Sequence, residues 1–192
     1  MEKIQIGIVV GSLRKDSFNR RFAKALEKLA PREFSFEHLR IGDLPLYNQD
    51  DDANPHAAVR RLKSEVSASQ ALLIVTPEYN RSVPGVLKNA LDHASRPYGQ
   101  NAWAGKPAGI IGVTQGATGT ALAQQHLRNI LAYLDVPTLN QPEAFIRWTD
   151  ELIDASGNIG EGSRKFLQQW MDRYAAFVRS HVAATREETV EA

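Results

Sequence analysis

Three short runs of this chain are apolar almost without interruption: Ile4–Val10, Ala71–Val75 and Ala108–Thr114. β-Branched residues lead in them, and each is too short for a buried helix, so they read as strands covered on both faces. Between them the period becomes helical. From Ser17 onward Phe18, Phe22, Ala25, Leu26 and Leu29 share one face, with Pro31 closing the segment. Val59, Leu62 and Val66 mark a second helix, and a third begins near Pro84 and buries Leu87, Ala90, Leu91 and Ala94. A fourth spans 119–134, with Ala123, Leu127, Ile130, Leu131 and Leu134 inward; a last one carries Phe166, Trp170, Tyr174, Phe177 and Val178. Phe34–Arg40 alternates like a strand with one polar face, and Val136–Leu139 reads as a fifth strand.

Strands that alternate with helices in this way predict a parallel sheet with helices on both faces. Five such units predict the flavodoxin-like arrangement, a three-layer α/β/α sandwich around a five-stranded parallel sheet. The chain's 192 residues suit one domain, expected over 1–183, with 184–192 as a frayed tail. Ile41–Pro55 is a long loop whose Asp50-Asp51-Asp52 reads as a solvated charge run.

Composition removes several functions. The net charge is +1, from 23 Lys+Arg against 22 Asp+Glu, which gives no footing for nucleic-acid binding. With no cysteine there is no disulfide, thiolate nucleophile or thiolate metal site. His38, His56, His93, His126 and His181 show no metal-ligand spacing, so no metal is expected; His93 and His126 read as structural. Trp148 and Trp170 are expected in the core or an interface. No apolar run approaches the roughly 20 residues of a membrane span, and no signal-peptide layout opens the chain, so a cytoplasmic location is expected.

In an open parallel sheet, ligands sit beyond the carboxyl ends of the strands. The loop after the first strand, Gly11-Ser12-Leu13-Arg14-Lys15-Asp16-Ser17-Phe18-Asn19, leads into a helix N-terminus, where main-chain N–H groups favour an anion. Ser12, Arg14, Ser17 and Asn19 gather two hydroxyls, a guanidinium and an amide around it, a donor set suited to a terminal phosphate. It contains neither a Gly-x-Gly-x-x-Gly fingerprint nor a P-loop. The next loop, Thr76-Pro77-Glu78-Tyr79-Asn80-Arg81-Ser82-Val83-Pro84-Gly85, is stiffened by two prolines and suits the edge of a flat polar ring. After the fourth strand, Thr114-Gln115-Gly116-Ala117-Thr118-Gly119-Thr120 either faces the same ring with N–H groups at Gln115 and Gly116 or simply caps the helix that follows. A Gly-x-Ser-x-Gly elbow is absent, which disfavours a serine hydrolase.

Gly11-Ser12-Leu13-Arg14-Lys15 with Ser17 and Asn19, then Pro77-Glu78-Tyr79-Asn80 with Ser82, Pro84-Gly85 and Leu87-Lys88-Asn89-Ala90, resemble the NADPH-dependent FMN reductase family, in its chromate- and quinone-reducing branch. Asp92, Ser95-Arg96 and Gly105-Lys106-Pro107 extend the resemblance, which covers Ile4 to about Leu134 well. It implies a flavodoxin-like fold, non-covalent FMN, and NADPH or NADH as co-substrate. Ser12, Arg14, Ser17, Phe18 and Asn19 would then hold the FMN phosphate end. Pro77, Glu78, Tyr79 and Asn80, with Gln115 and Gly116, would meet the isoalloxazine ring. The cofactor would carry the chemistry with no catalytic side chain, passing electrons by a ping-pong mechanism to quinones, chromate or similar metal oxyanions. Arg81 and Arg96 are candidates for the NADPH phosphates or an anionic acceptor, against the alternative of plain surface charge. The resemblance also implies a homodimer or homotetramer, with Leu44-Pro45-Leu46-Tyr47 as a candidate interface. The rival readings are an FMN-binding electron carrier, which the near-neutral charge disfavours, and a flavin or quinone sensor without turnover.

Overall fold

The computed structural model describes residues 3–191, with side chains described to residue 184. Its strands are β1 (Ile4–Val10), β2 (Phe34–His38), β3 (Ala71–Val75), β4 (Ala108–Thr114) and β5 (Phe145–Arg147), all parallel, in the order β2-β1-β3-β4-β5. That order is the flavodoxin-like one, with its reversal between β1 and β3. The helices are α1 (Phe18–Glu27), α2 (Ala57–Ala68), α3 (Gly85–Ala94), α4 (Ala121–Tyr133) and α5 (Glu161–Glu191). Among the described residues, no helix is long and apolar enough to cross a membrane.

Strand side chains alternate between two cores. Ile6 and Ile8 of β1 and Leu73 and Val75 of β3 pack against Phe22 and Leu26 of α1 and Leu167, Trp170, Tyr174 and Val178 of α5. Val9, Leu72, Ile74 and Ile110 face the other way, onto Leu62 and Val66 of α2, Leu87 and Leu91 of α3, and Leu127 and Leu131 of α4. Position 109 has to be glycine here: a Cβ on it would lie 2.7 Å from the Tyr174 ring, which stacks on Trp170 at 5.5 Å between centroids. The Tyr174 hydroxyl, buried with its ring, donates to the Leu72 carbonyl at 2.9 Å, and burial raises its pKa far above the usual phenol range.

The fifth strand is not where the sequence places it. Residues 136–139 are buried at Val136 and Leu139, which is why they read as a strand. They bracket only Ala108, whose N–H donates to Pro137 and whose carbonyl accepts from Leu139. Pro137 and Pro142 have no N–H to extend a ladder. The chain turns through 140–143 and rejoins the sheet edge at Phe145–Arg147, beside Gly112–Thr114. The segment 184–192, expected as a frayed tail, lies outside the described side chains beyond residue 184; the α5 backbone is helical to Glu191.

Candidate functional site

The loops after β1, β3 and β4 meet at the carboxyl end of the sheet. Gly11 N–H donates to Val75 at 2.9 Å and Thr76 N–H to Ile111 at 3.0 Å, so the three strand ends leave the sheet together. Gly112 makes that approach possible, since a Cβ there would fall 1.9 Å from the Thr76 carbonyl oxygen. The expected cofactor residues, except Asn80 and Gly116, line one shallow cleft of about 160 Å³ with Val113 and Thr114. Enclosed ligand pockets run from roughly 300 Å³ upward, so a ligand here keeps a face open.

Ser17 caps α1, its side chain accepting from Arg20 N–H at 3.2 Å, and its hydroxyl proton remains a donor toward the loop. Lys15 and Asp16 form a turn between Arg14 and Ser17; among the described residues the other main-chain N–H groups from Ser12 to Asn19 have no hydrogen-bond partner in the protein. Open N–H groups gathered at a helix N-terminus form a donor site for an anion. Arg14 lines the same cleft, its guanidinium carbon 5.2 Å from the centre of the Phe18 ring. Phe18 in turn stacks on Trp148 at 4.3 Å, and Arg21 lies over the indole at 4.9 Å. Trp148, just after β5, is buried in the core as expected and backs Phe18 from behind the cleft lining.

Two of the expected cofactor residues in the cleft lining also brace the fold. The Asn19 side chain is buried and faces β4: its amide nitrogen donates to the Val113 carbonyl and its oxygen accepts from the Val113 N–H, both at 2.9 Å. It ties the first turn of α1 to the sheet. Glu78 turns its carboxylate to α4, accepting from Leu122 N–H at 3.0 Å, Ala123 N–H at 3.1 Å and the Thr118 hydroxyl at 3.3 Å. The carboxylate supplies the N-terminal cap that Thr120 does not, and its charge suits the positive end of the helix.

Asn80 and Arg81 form the tip of a tight turn whose ends, Tyr79 and Ser82, exchange main-chain hydrogen bonds at 3.1 and 3.0 Å. Tyr79 is half exposed beside the cleft. Gln115 and Gly116 lie exposed after β4, where the Gly116 N–H reaches the Thr114 hydroxyl at 3.4 Å.

Neither Arg81 nor Arg96 lines this cleft. Arg81 sits exposed on the turn. Arg96, just past α3, lines a separate cleft of about 780 Å³ between α2, α3 and the 45–56 loop, with Asp51, Asp52, His56, Arg60 and Lys63. The Lys63 ammonium donates to the Arg96 carbonyl, and burial lowers its pKa. Tyr47 on the same loop is raised by burial and by the nearby Asp52 carboxylate. His93 is buried as expected, bonded to the Pro45 carbonyl at 2.9 Å; Asn89 holds the same loop through Pro45 and Tyr47.

The profile of the NADPH-dependent FMN reductase family matches residues 4–149, a span that contains all three loops. The chain belongs to this family. A 2-hydroxy-1,4-benzoquinone reductase of a Burkholderia species is 57% identical over 177 residues, covering 92% of this chain and 97% of the relative. A quinone reductase of Pseudomonas putida is 48% identical, covering 91% and 94%. Among solved structures, a flavoenzyme NAD(P)H:acceptor oxidoreductase from Paracoccus denitrificans superposes with a TM-score of 0.89 at 46% identity, covering 93% of this chain and 98% of that one. Membership makes FMN the cofactor and NAD(P)H the co-substrate, and the open N–H groups above α1 fit the terminal phosphate of FMN.

Proposed function

We propose that this protein is an FMN-dependent NAD(P)H:quinone reductase that also accepts other small oxidants, metal oxyanions among them. Held by the loops after β1, β3 and β4, FMN would supply the hydride chemistry between NAD(P)H and the acceptor, with both substrates served in turn from the same open side of the cleft. The observation that carries the reading is the set of open N–H groups in the Ser12–Asn19 loop, in one cleft with Arg14 and with Tyr79 at the start of the next loop's turn. The first group of donors suits a phosphate; the turn, with N–H groups of Asn80 and Arg81 that have no partner among the described residues, suits the polar edge of a ring. Donors of this kind also stabilise the negative charge of a reduced flavin. No acid or base side chain is required, and the shallow cleft leaves room for acceptors of varied shape. The relatives named as quinone reductases support quinones as the acceptor class.

FMN and riboflavin differ only in the phosphate, so their affinities separate the two halves of the cleft. Arg14→Ala weakens FMN about 10- to 100-fold, the worth of a charge-assisted contact. It leaves riboflavin affinity unchanged. Fluorescence titration of the apoprotein with each flavin measures this, and an equal loss for both would place Arg14 away from the phosphate.

Arg96 is proposed to hold an anionic part of NAD(P)H or an anionic acceptor, alongside Arg60 and Lys63 on its cleft wall. Arg96→Ala then raises the KM for the dinucleotide or for chromate with bound FMN unaltered. Steady-state kinetics with each substrate varied would remove Arg96 from the site if neither KM moves.

The chain is further proposed to work as a single domain in a homodimer or homotetramer, in a cytoplasmic setting. Leu46 is 85% exposed on the loop pinned to α3, and Tyr98 is 87% exposed beyond that helix. Exposed apolar side chains of this size suit an interface.

A further inference from the structure

Asn80 and Arg81 both have left-handed backbone, φ 51° and 62°, although neither is glycine. Consecutive residues in that region persist only where their surroundings hold them. The paired bonds between Tyr79 and Ser82 close the turn, but two side chains fix where the turn lies. On its leading side Glu78 grips the first N–H groups of α4 at Leu122 and Ala123. On its trailing side the Ser82 hydroxyl is hydrogen-bonded to His126 Nδ1 at 2.9 Å. One mooring holds the N-terminal end of α4 and the other a side chain one turn further along it. α4 packs through Leu127 and Leu131 into the core, which makes it a rigid post for the turn.

We infer that His126 is a positioning residue for the ring side of the cleft: through Ser82 it holds the Asn80–Arg81 turn at the place where their main-chain N–H groups meet a bound ring. The inference rests on the reading of the cleft as a flavin site. It assigns a task to a histidine that touches neither the cleft lining nor the expected ligand. The task is mechanical. With Glu78 alone the turn has one tether and can swing about it, and its N–H groups then lose their aim. A reduced flavin, which carries more negative charge at its polar edge than the oxidised form, loses more from such a shift.

The test compares Ser82→Ala, His126→Ala, the double variant and His126→Asn, each as apoprotein titrated with FMN and riboflavin and then by redox titration of bound flavin. Asparagine places an amide at about the reach of imidazole Nδ1 and can bond the same hydroxyl. Each alanine variant should weaken both flavins by about 5-fold, the worth of one hydrogen bond, and make the midpoint potential more negative. The double variant should be no worse than either single one, and His126→Asn should restore both properties. The FMN-to-riboflavin affinity ratio should stay constant, because the phosphate loop is untouched. If the two alanine effects add, or if His126→Ala keeps the parent potential and affinity, His126 does not position the turn. If the unsubstituted protein fails to bind FMN, it is the flavin reading that fails, together with whatever rests on it.

Discussion

Alanine at position 112 is expected to cost this protein about 3 kcal/mol of stability, the upper part of the range for overpacking. Gly112 lies in β4 at the base of the cleft, in register with Phe145 of β5. A methyl group there would stand 1.9 Å from the Thr76 carbonyl oxygen and 2.9 Å from the Thr120 hydroxyl. The first neighbour is main chain, held in the sheet by the Thr76 N–H to Ile111 bond, so it cannot turn aside as a flexible side chain would. The ends of β3 and β4 have to separate, and the loops they carry move apart with them. Thermal unfolding of the apoprotein should show a midpoint lowered by roughly 6–12 °C, at about 2–4 °C per kcal/mol for a chain of this size. FMN affinity should fall as well. A midpoint within about 2 °C of the parent would mean that the strand ends have slack, contrary to this packing.

The second large effect concerns Asn19. Its replacement by alanine removes both partners of the buried Val113 main chain, at 2.9 Å each. Stranding one buried N–H and one buried carbonyl is expected to cost about 3 kcal/mol in all. Asn19→Asp keeps an acceptor for the N–H but sets a carboxylate oxygen against the Val113 carbonyl, so it should be no better. Denaturant unfolding of the apoproteins measures both. In Asn19→Ala the FMN-to-riboflavin affinity ratio should remain that of the parent, in contrast to Arg14→Ala. A ratio that collapses in Asn19→Ala would show that this side chain also serves the phosphate, as the loop sequence suggests.

That contrast between Asn19 and Arg14 marks how far the sequence could be read. β1, β3 and β4 are legible because they are buried on both faces and carry continuous apolar runs. β5 is three residues long at the sheet edge, with Phe145 and Arg147 exposed, and has no such pattern to show. The apolar Val136 and Leu139 misdirect the reading because burial beside a sheet does not require membership of it. In the site, the three loops are legible from their position after strands and from their residue types. The use of each polar side chain is not, because it depends on a partner far along the chain. Asn19 bonds a residue 94 positions away, and Glu78 and Ser82 each bond residues 44 positions away in α4. A polar residue in a ligand loop looks the same in sequence whether it faces the ligand or braces the loop. Only the fold shows that Asn19 and Glu78 spend hydrogen bonds on the protein itself, while Arg14 lies over the Phe18 ring.

The most direct test of the account is a visible absorption spectrum of the protein reconstituted with FMN, desalted, and mixed with NADPH in the absence of oxygen. A retained flavin band that bleaches with NADPH and returns on addition of a quinone is the predicted result. A retained band that bleaches with neither NADPH nor NADH would contradict the reductase reading and favour a carrier or sensor. Loss of the flavin on desalting would contradict the phosphate site above α1, on which the account depends.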